Sequence, residues 1–435
     1  MKHKLIWSLL LLFLSNLGFT QEKQEISLTE FKNKVEQNNR KLQANNQEYL
    51  QMRAEYRETN AAFLPQLSAS HTAYRTDNPV MAFGTLLNQG VFSENDFAVN
   101  NLNNPSAVSN FVTTFQVQQP LLNFDKLVMR SALKDRSDAQ LQQNAFKKDA
   151  LLLQAERLYM QLQLAYKSIE VLQKSKTTAE ANLKSIADFY QEGLLVKADL
   201  LSAKVRLNEV ENALSKAQNE LQYISDYMHY MMNEEGQILI PENKLEMQIT
   251  PKTENSNLMN RSDILAMELG VEAYKKMKKS ANMMYLPSLN AFGNVQYFDE
   301  DIFGTNAQNF YVGASLNWNL FEGGSRIAKN QQMKAQYEKA KLEAEDYKAS
   351  ANVELQKAKR NLQEAENQLN RNALSLEQAQ EAFQIRKNRF DEGLERSTDL
   401  LSAEVQLANQ ELLYNQSIFE FNLAQLQVQF LGNAK

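Results

Sequence analysis

Phe189-Tyr190-Gln191-Glu192-Gly193-Leu194, followed after four intervening residues by Asp199-Leu200-Leu201-Ser202-Ala203-Lys204-Val205-Arg206-Leu207, returns at an offset of 200. There it reads Arg389-Phe390-Asp391-Glu392-Gly393-Leu394, then Asp399-Leu400-Leu401-Ser402-Ala403-Glu404-Val405-Gln406-Leu407. Phe63-Leu64-Pro65-Gln66-Leu67 is echoed by Tyr285-Leu286-Pro287-Ser288-Leu289. Internal repetition sets architecture before local propensity does, so the chain is two halves built on one plan. The expected organisation is a first repeat over 21–235 (helix, two strands, long helical hairpin), a linker over 236–257 and a second repeat over 258–435.

Working outward from each Glu-Gly turn, apolar residues recur every seven positions, the pattern of helices packed side by side. In the second half they are Leu355, Leu362, Leu369, Leu376, Phe383 and Phe390, interleaved with Ala351, Ala358, Ala365 and Ala379. Past the turn come Leu400, Leu407, Tyr414, Phe421 and Val428, and the first half matches with Leu162, Ile169 and Leu183, then Leu200, Leu207, Leu214, Leu221 and Met228. Each half therefore holds a helical hairpin. No Pro or Gly interrupts Ser325 to about Arg389, a run that spans roughly 95 Å as a helix.

Between the helices the period changes from seven to two. Phe310, Val312, Ala314, Leu316, Trp318 and Leu320 alternate with Tyr311, Gly313, Ser315, Asn317 and Asn319, and Leu289–Phe298 alternates likewise. Strands of about eleven residues with one apolar and one polar face have the length and pattern of membrane β-strands. Weaker counterparts fall at about Gln66–Tyr74 and Asn110–Leu121. Each strand alone suits a soluble hairpin equally well. Four strands cannot close a barrel, however, since the smallest ordinary membrane barrels have eight and an open sheet edge is not viable in lipid. If these strands span a membrane, several chains must share one barrel.

Composition narrows the function classes. Only 13 glycines and 7 prolines occur in 435 residues, so turns are few and regular elements long. There is no cysteine, and His3, His71 and His229 are the whole histidine supply. Thiolate sites and disulfides are excluded, and a zinc site or a histidine-based triad is a poor fit. Asp and Glu number 52 against 47 Lys and Arg, a balance that argues against nucleic acid. Lys2 and Lys4 precede the apolar run Leu5–Leu14, and Gly18-Phe19-Thr20 offers small residues before Gln21, so residues 1–20 read as a secretory signal peptide. Asn78 to Asn110 is long, Asn-rich and aperiodic; it reads as an extracellular loop folding over a pore, with disorder the alternative.

The duplicated Gly193-Leu194…Asp199-Leu200-Leu201-Ser202-Ala203 and Gly393-Leu394…Asp399-Leu400-Leu401-Ser402-Ala403 segments resemble the outer membrane efflux proteins, of which the TolC-type channels are best known. Trp318-Asn319-Leu320-Phe321-Glu322-Gly323-Gly324 is similar to that family's strand-to-helix junction. The resemblance implies a mainly α fold with membrane β-strands. Two-repeat helical hairpins would form a periplasmic α-barrel, and a homotrimer would supply four strands per chain to a 12-stranded outer membrane β-barrel. It implies a passive exit duct for an inner membrane pump, joined through a periplasmic adaptor protein, with no catalysis, cofactor or metal.

Carried over by position, Gly193, Leu194, Gly393 and Leu394 correspond to the adaptor-contacting tip. Asp199 and Asp399 correspond to the periplasmic constriction, although Asp just past a turn equally serves as a helix cap. The chain departs from the family in three places. Ser402 stands where some members carry a second acid, Phe390 lacks a hydroxyl to bond across a gate, and Gln119-Pro120-Leu121-Leu122-Asn123-Phe124-Asp125 lacks the Gly-Gly pair. The rival reading is a periplasmic coiled-coil scaffold or adaptor without a membrane barrel.

Overall fold

The computed structural model describes residues 24–248 and 258–432. The expected signal peptide and part of the expected linker lie outside them. The chain resolves into two compact units, and each draws on both sequence repeats: one comprises residues up to 47, 142–265 and 346 onward, the other 48–141 and 266–345.

In the first unit a short strand β1 (Gln24–Ile26) precedes helix α1 (Leu28–Asn38) and the start of α2 (Arg40–Glu58). Ser27 caps α1 by accepting the N–H of Glu30 at 3.1 Å, which satisfies one of the four unpaired donors of a helix start. α5 (Phe124–Gln191) and α6 (Lys197–Met232) form the first hairpin, and α6 stops where Asn233 adopts a left-handed φ of 55°. β4 (Leu239–Pro241) then lies parallel to β1, with Gln24 opposite Leu239. Ile26, Phe31, Val35, Leu162, Met228 and Leu239 are almost completely buried together. Each such aliphatic or aromatic side chain contributes about 1.5–3 kcal/mol of burial, so this small sheet is held by the helices around it. Tyr159 and Tyr166 donate their hydroxyls to the carbonyls of Ile26 (3.1 Å) and Leu239 (3.0 Å), fastening both strands to α5.

Helices α8 (Ser325–Asp391) and α9 (Ser397–Gly432) form the second hairpin. The seven-residue repeat is their packing surface: Leu369 and Phe421 are buried in one cluster, with Leu362, Ala365 and Tyr414 against it. Ala351, Ala358 and Ala379 are buried as well, and their small side chains permit close helix approach.

The second unit carries an antiparallel sheet of β2 (Gln66–Thr76), β3 (Val108–Leu122), β5 (Ser288–Asp299) and β6 (Ala307–Asn317), in the order β2-β3-β5-β6. α7 (Ser262–Met283) begins in the first unit and leads into β5. The pairing Leu67↔Val117↔Gly293↔Val312 and Ala69↔Phe115↔Val295↔Phe310 puts one set of residues on one face. On that face Leu67, Phe115, Val117, Phe310, Val312 and Leu316 are exposed. The opposite face carries Ser68, Ser70, Thr72, Gln116, Thr114, Asn294, Gln296 and Asn309, with no charge in its middle.

The alternation read to Leu320 runs three residues too far, because the strand ends at Asn317. Trp318 instead donates its indole N–H to the Tyr285 carbonyl at 3.1 Å, and Arg326 holds the Asn319 carbonyl. Gly323 and Gly324 then take φ of 58° and 85°, which release the chain into α8.

The segment after β2 is folded. Helix α3 (Pro79–Gln89) starts with Asn78 accepting from the N–H groups of Val80 (3.2 Å) and Met81 (3.1 Å), with Pro at its first position. It ends at Gly90, φ 69°, where Val91 N–H returns to the Leu86 carbonyl at 3.1 Å. A short helix α4 (Val99–Asn103) follows, and Phe83, Phe92 and Phe97 meet edge to face.

Candidate functional site

The two Glu-Gly turns are built alike. Gly193 has φ 76° and its N–H, with that of Leu194, closes back on Tyr190 (3.1 Å) and Phe189 (2.9 Å). Gly393 has φ 72°, and the same two bonds reach Phe390 (2.9 Å) and Arg389 (2.8 Å). This is the hydrogen-bonded helix stop that requires a left-handed residue, which explains glycine at both positions. A Cβ at either glycine would meet nothing within 4 Å, so backbone conformation and not crowding selects it.

What the turns present is apolar and open. Leu194 is 68% exposed, Leu394 64% and Val196 65%. Behind them the hairpins share a core of Ile186, Ala203, Phe390, Leu400 and Leu401, with Phe189 and Leu195 against it. Phe189 and Phe390 pack edge to face at 5.5 Å, so the two turns stand side by side on one aromatic contact. Phe390 is therefore core, 2% exposed and packed on Phe189.

The position after each Leu separates the turns chemically. Leu195 packs into the shared core, whereas its repeat partner Glu395 is gripped by Arg386 at 3.1 Å and Arg389 at 2.9 Å.

Asp199 accepts the N–H of Val196 at 3.3 Å at the start of α6, and its other oxygen accepts the hydroxyl of Ser397 from α9. Asp399 accepts from Arg396 Nε at 3.0 Å, an ion pair whose arginine is 82% exposed. Both acids are half-buried at the first turn of a helix, where the macrodipole favours them. The geometry thus supplies the capping role for Asp199 and brings both repeats' acids beside the paired turns.

One site residue escaped the sequence reading. Glu404, 2% exposed, accepts from Asn182 Nδ2 at 2.7 Å and from Arg206 Nε at 3.1 Å, and Arg206 also reaches Ser175 at 3.3 Å. Burial pushes the Glu404 carboxyl above the ordinary value, against the pull of Asn182 and Arg206. The signal was a broken repeat: Lys204 faces Glu404 and Arg206 faces Gln406 within an otherwise matching block.

Among the described residues no group of three or more His, Asp and Glu is placed to hold a metal ion, and no helix is long and apolar enough to cross a membrane.

A family model described as outer membrane efflux protein matches residues 32–226 and 255–427. Among solved structures, CusC, described through its folding and transmembrane channel formation, aligns with a TM-score of 0.81 at 16% identity, covering 96% of this chain and 94% of that one. The outer membrane protein VceC of Vibrio cholerae aligns with a TM-score of 0.77 at 17% identity (93% and 96% covered). The outer membrane channel CmeC of Campylobacter jejuni gives 0.77 at 16% identity (93% and 85%). No curated protein sequence matches the chain.

Proposed function

The chain belongs to the outer membrane efflux protein family, and from that premise we propose that it is the outer membrane exit duct of a tripartite efflux or type I secretion system. On this reading it is a passive trimeric channel, continued into the periplasm by its helices and coupled to an inner membrane pump through a periplasmic adaptor.

The observation that carries the reading is the sheet. It has an apolar face and a polar face, and its outer strands β2 and β6 each leave one edge without a partner among the described residues. Such edges cannot stand in hydrocarbon, where every backbone group needs a partner. Three antiparallel steps make β6 antiparallel to β2, so β6 of one copy can pair with β2 of the next and continue the same pattern. Repeating one heterologous contact generates a ring. Three copies give the twelve strands that the family resemblance implies, with Leu67, Val117 and Val312 toward lipid and Ser70, Thr114 and Asn294 toward water.

The paired turns suit the adaptor contact, because Leu194, Val196 and Leu394 are apolar, exposed and held by a rigid stop. Asp199 and Asp399 beside them would repeat three times around the axis of a trimer, giving an acidic constriction. Selection of cargo then belongs to pump and adaptor. The sheet speaks against a scaffold without a barrel, since a soluble protein has no use for so wide an apolar strand face.

The test is to express the full chain with its leader and extract it from outer membranes with detergent. Light scattering should give three chains per particle, and crosslinking should co-purify an adaptor and an inner membrane pump. A monomer released by salt alone would overturn the reading.

A further inference from the structure

The outward side of α3 is an apolar surface that the sites described above do not use. The helix lies against β3, β5 and β6, and its attachments identify the face it covers. Gln89 donates to the Ser109 carbonyl (2.8 Å) and to Asn110 Oδ1 (3.0 Å), Asn110 donates to the Tyr74 hydroxyl (2.7 Å), and Tyr74 meets Thr85 Oγ1 at 3.1 Å. Tyr74 and Asn110 are paired in register and share the polar face of the sheet with Ser70, Thr72 and Thr114. Ala82, Thr85 and Gln89 are buried by this contact, and Asn110 is wholly enclosed. α3 is therefore fixed, by a closed polar network and by caps at both ends, to the side of the sheet that faces water in a barrel.

The opposite side of α3 is apolar. Val80 is 80% exposed and Leu87 50%, with Met81 at the flank and Val91 just past the cap. Residues 78–93 contain no charged side chain. A channel wall meant only to be wetted has no reason to hold an uncharged helix with its apolar side toward the lumen.

Barrel geometry says what stands opposite. Twelve strands about 4.8 Å apart and tilted about 40° enclose a backbone radius of roughly 12 Å. A helix about 10 Å thick laid on the inner wall of each third reaches the axis. Three such helices cannot avoid one another.

We propose that the exposed stripe of α3, led by Val80 and Leu87, packs against the same stripe of the two other copies and closes the far mouth of the duct as an apolar plug. The occupant of this surface is a second copy of the chain, an inference that rests on the trimeric barrel proposed above. A constriction of this kind blocks ions and small solutes by excluding water.

The chain has no cysteine, so single-cysteine variants report one position only. Leu87→Cys and Val80→Cys, assembled in the outer membrane, should each give a covalent dimer under mild oxidant or a short bismaleimide. Phe115→Cys, on the apolar face of a central strand, should not. Leu87→Asp, which wets the plug, should raise single-channel conductance in planar bilayers about twofold or more over the wild type. A trimer by light scattering in which neither α3 cysteine crosslinks, or in which Leu87→Asp conducts as the wild type does, overturns the plug while leaving the duct. Particles that are not trimers overturn both.

Discussion

Ser397 on one hairpin donates its hydroxyl to the carboxylate of Asp199 on the other, so the first turns of α6 and α9 are tied across the two sequence repeats. Asp199 is half-buried and also takes the Val196 N–H, so it is a cap and a clasp together. Asp199→Ala should lower stability by about 0.5–2 kcal/mol through the lost cap, and Asp199→Asn should recover most of it. In the trimeric duct the double change Asp199→Ala with Asp399→Ala should also reduce cation selectivity and weaken block by a trivalent cation, read in planar bilayers. Reduced stability with selectivity and block unaltered would leave capping as the only role.

Glu404 yields a pH prediction. Its folded carboxyl titrates above the ordinary carboxylate value of 4.5 because burial disfavours its charge. A raised acid costs stability when ionised, in full above its folded pKa, and that cost is relieved as pH falls through the folded pKa toward 4.5. The wild type should therefore gain on Glu404→Gln as pH drops from neutral through that window, measured as the difference in Tm between the detergent-solubilised trimers. Parallel Tm curves would count against it. Arg206→Ala leaves the buried carboxylate without its cation and should cost about 3–5 kcal/mol at neutral pH, more than Glu404→Gln does.

How much of this was legible depended on how many residues each feature repeats over. The hairpins announce themselves through seven-residue spacings that the structure uses as packing surfaces, Leu362, Leu369, Tyr414 and Phe421 among them. The strands were visible as alternation, but Trp318 and Leu320 kept the rhythm after the hydrogen-bonded ladder had ended. β1 and β4 are three residues each, too short to show any period, and exist because Ile26 and Leu239 share a core with α5 and α6. α3 carried an Asn-Pro start and a Gly stop, yet its Asn-rich surroundings hid them. In the site, the glycines were plain from their left-handed role, whereas the Glu404–Arg206 pair joins residues 198 apart, a partnership no local pattern contains.

The two faces of the sheet should respond oppositely to the same charge. Val312 sits mid-strand on the apolar face, and Ser70 mid-strand on the polar face. In the proposed barrel Val312→Arg places a guanidinium in hydrocarbon and should cost about 2–4 kcal/mol, lowering the yield of assembled trimer from outer membranes. In the same barrel Ser70→Arg projects into the lumen, so assembly should be kept and conductance altered. Equal tolerance of both substitutions would contradict the inside–outside assignment.

At the tip, stability and recognition can be separated because the two residues of each turn do different work. Gly393 holds φ 72° with open space where a Cβ would lie, so Gly393→Ala should cost about 1 kcal/mol of backbone strain and leave the surface nearly unchanged. Leu394 adds little to the core, being 64% exposed, so Leu394→Asp should leave the trimer as abundant as wild type. If the turn is the adaptor contact, Leu394→Asp should nevertheless abolish both export and adaptor crosslinking, since a carboxylate there must be desolvated against an apolar partner. Gly393→Ala should weaken both only in proportion to its strain. The decisive measurement is adaptor crosslinking per trimer in outer membranes for the two variants side by side. Crosslinking that survives Leu394→Asp would remove the tip assignment, and loss of the trimer itself would show that Leu394 serves the fold.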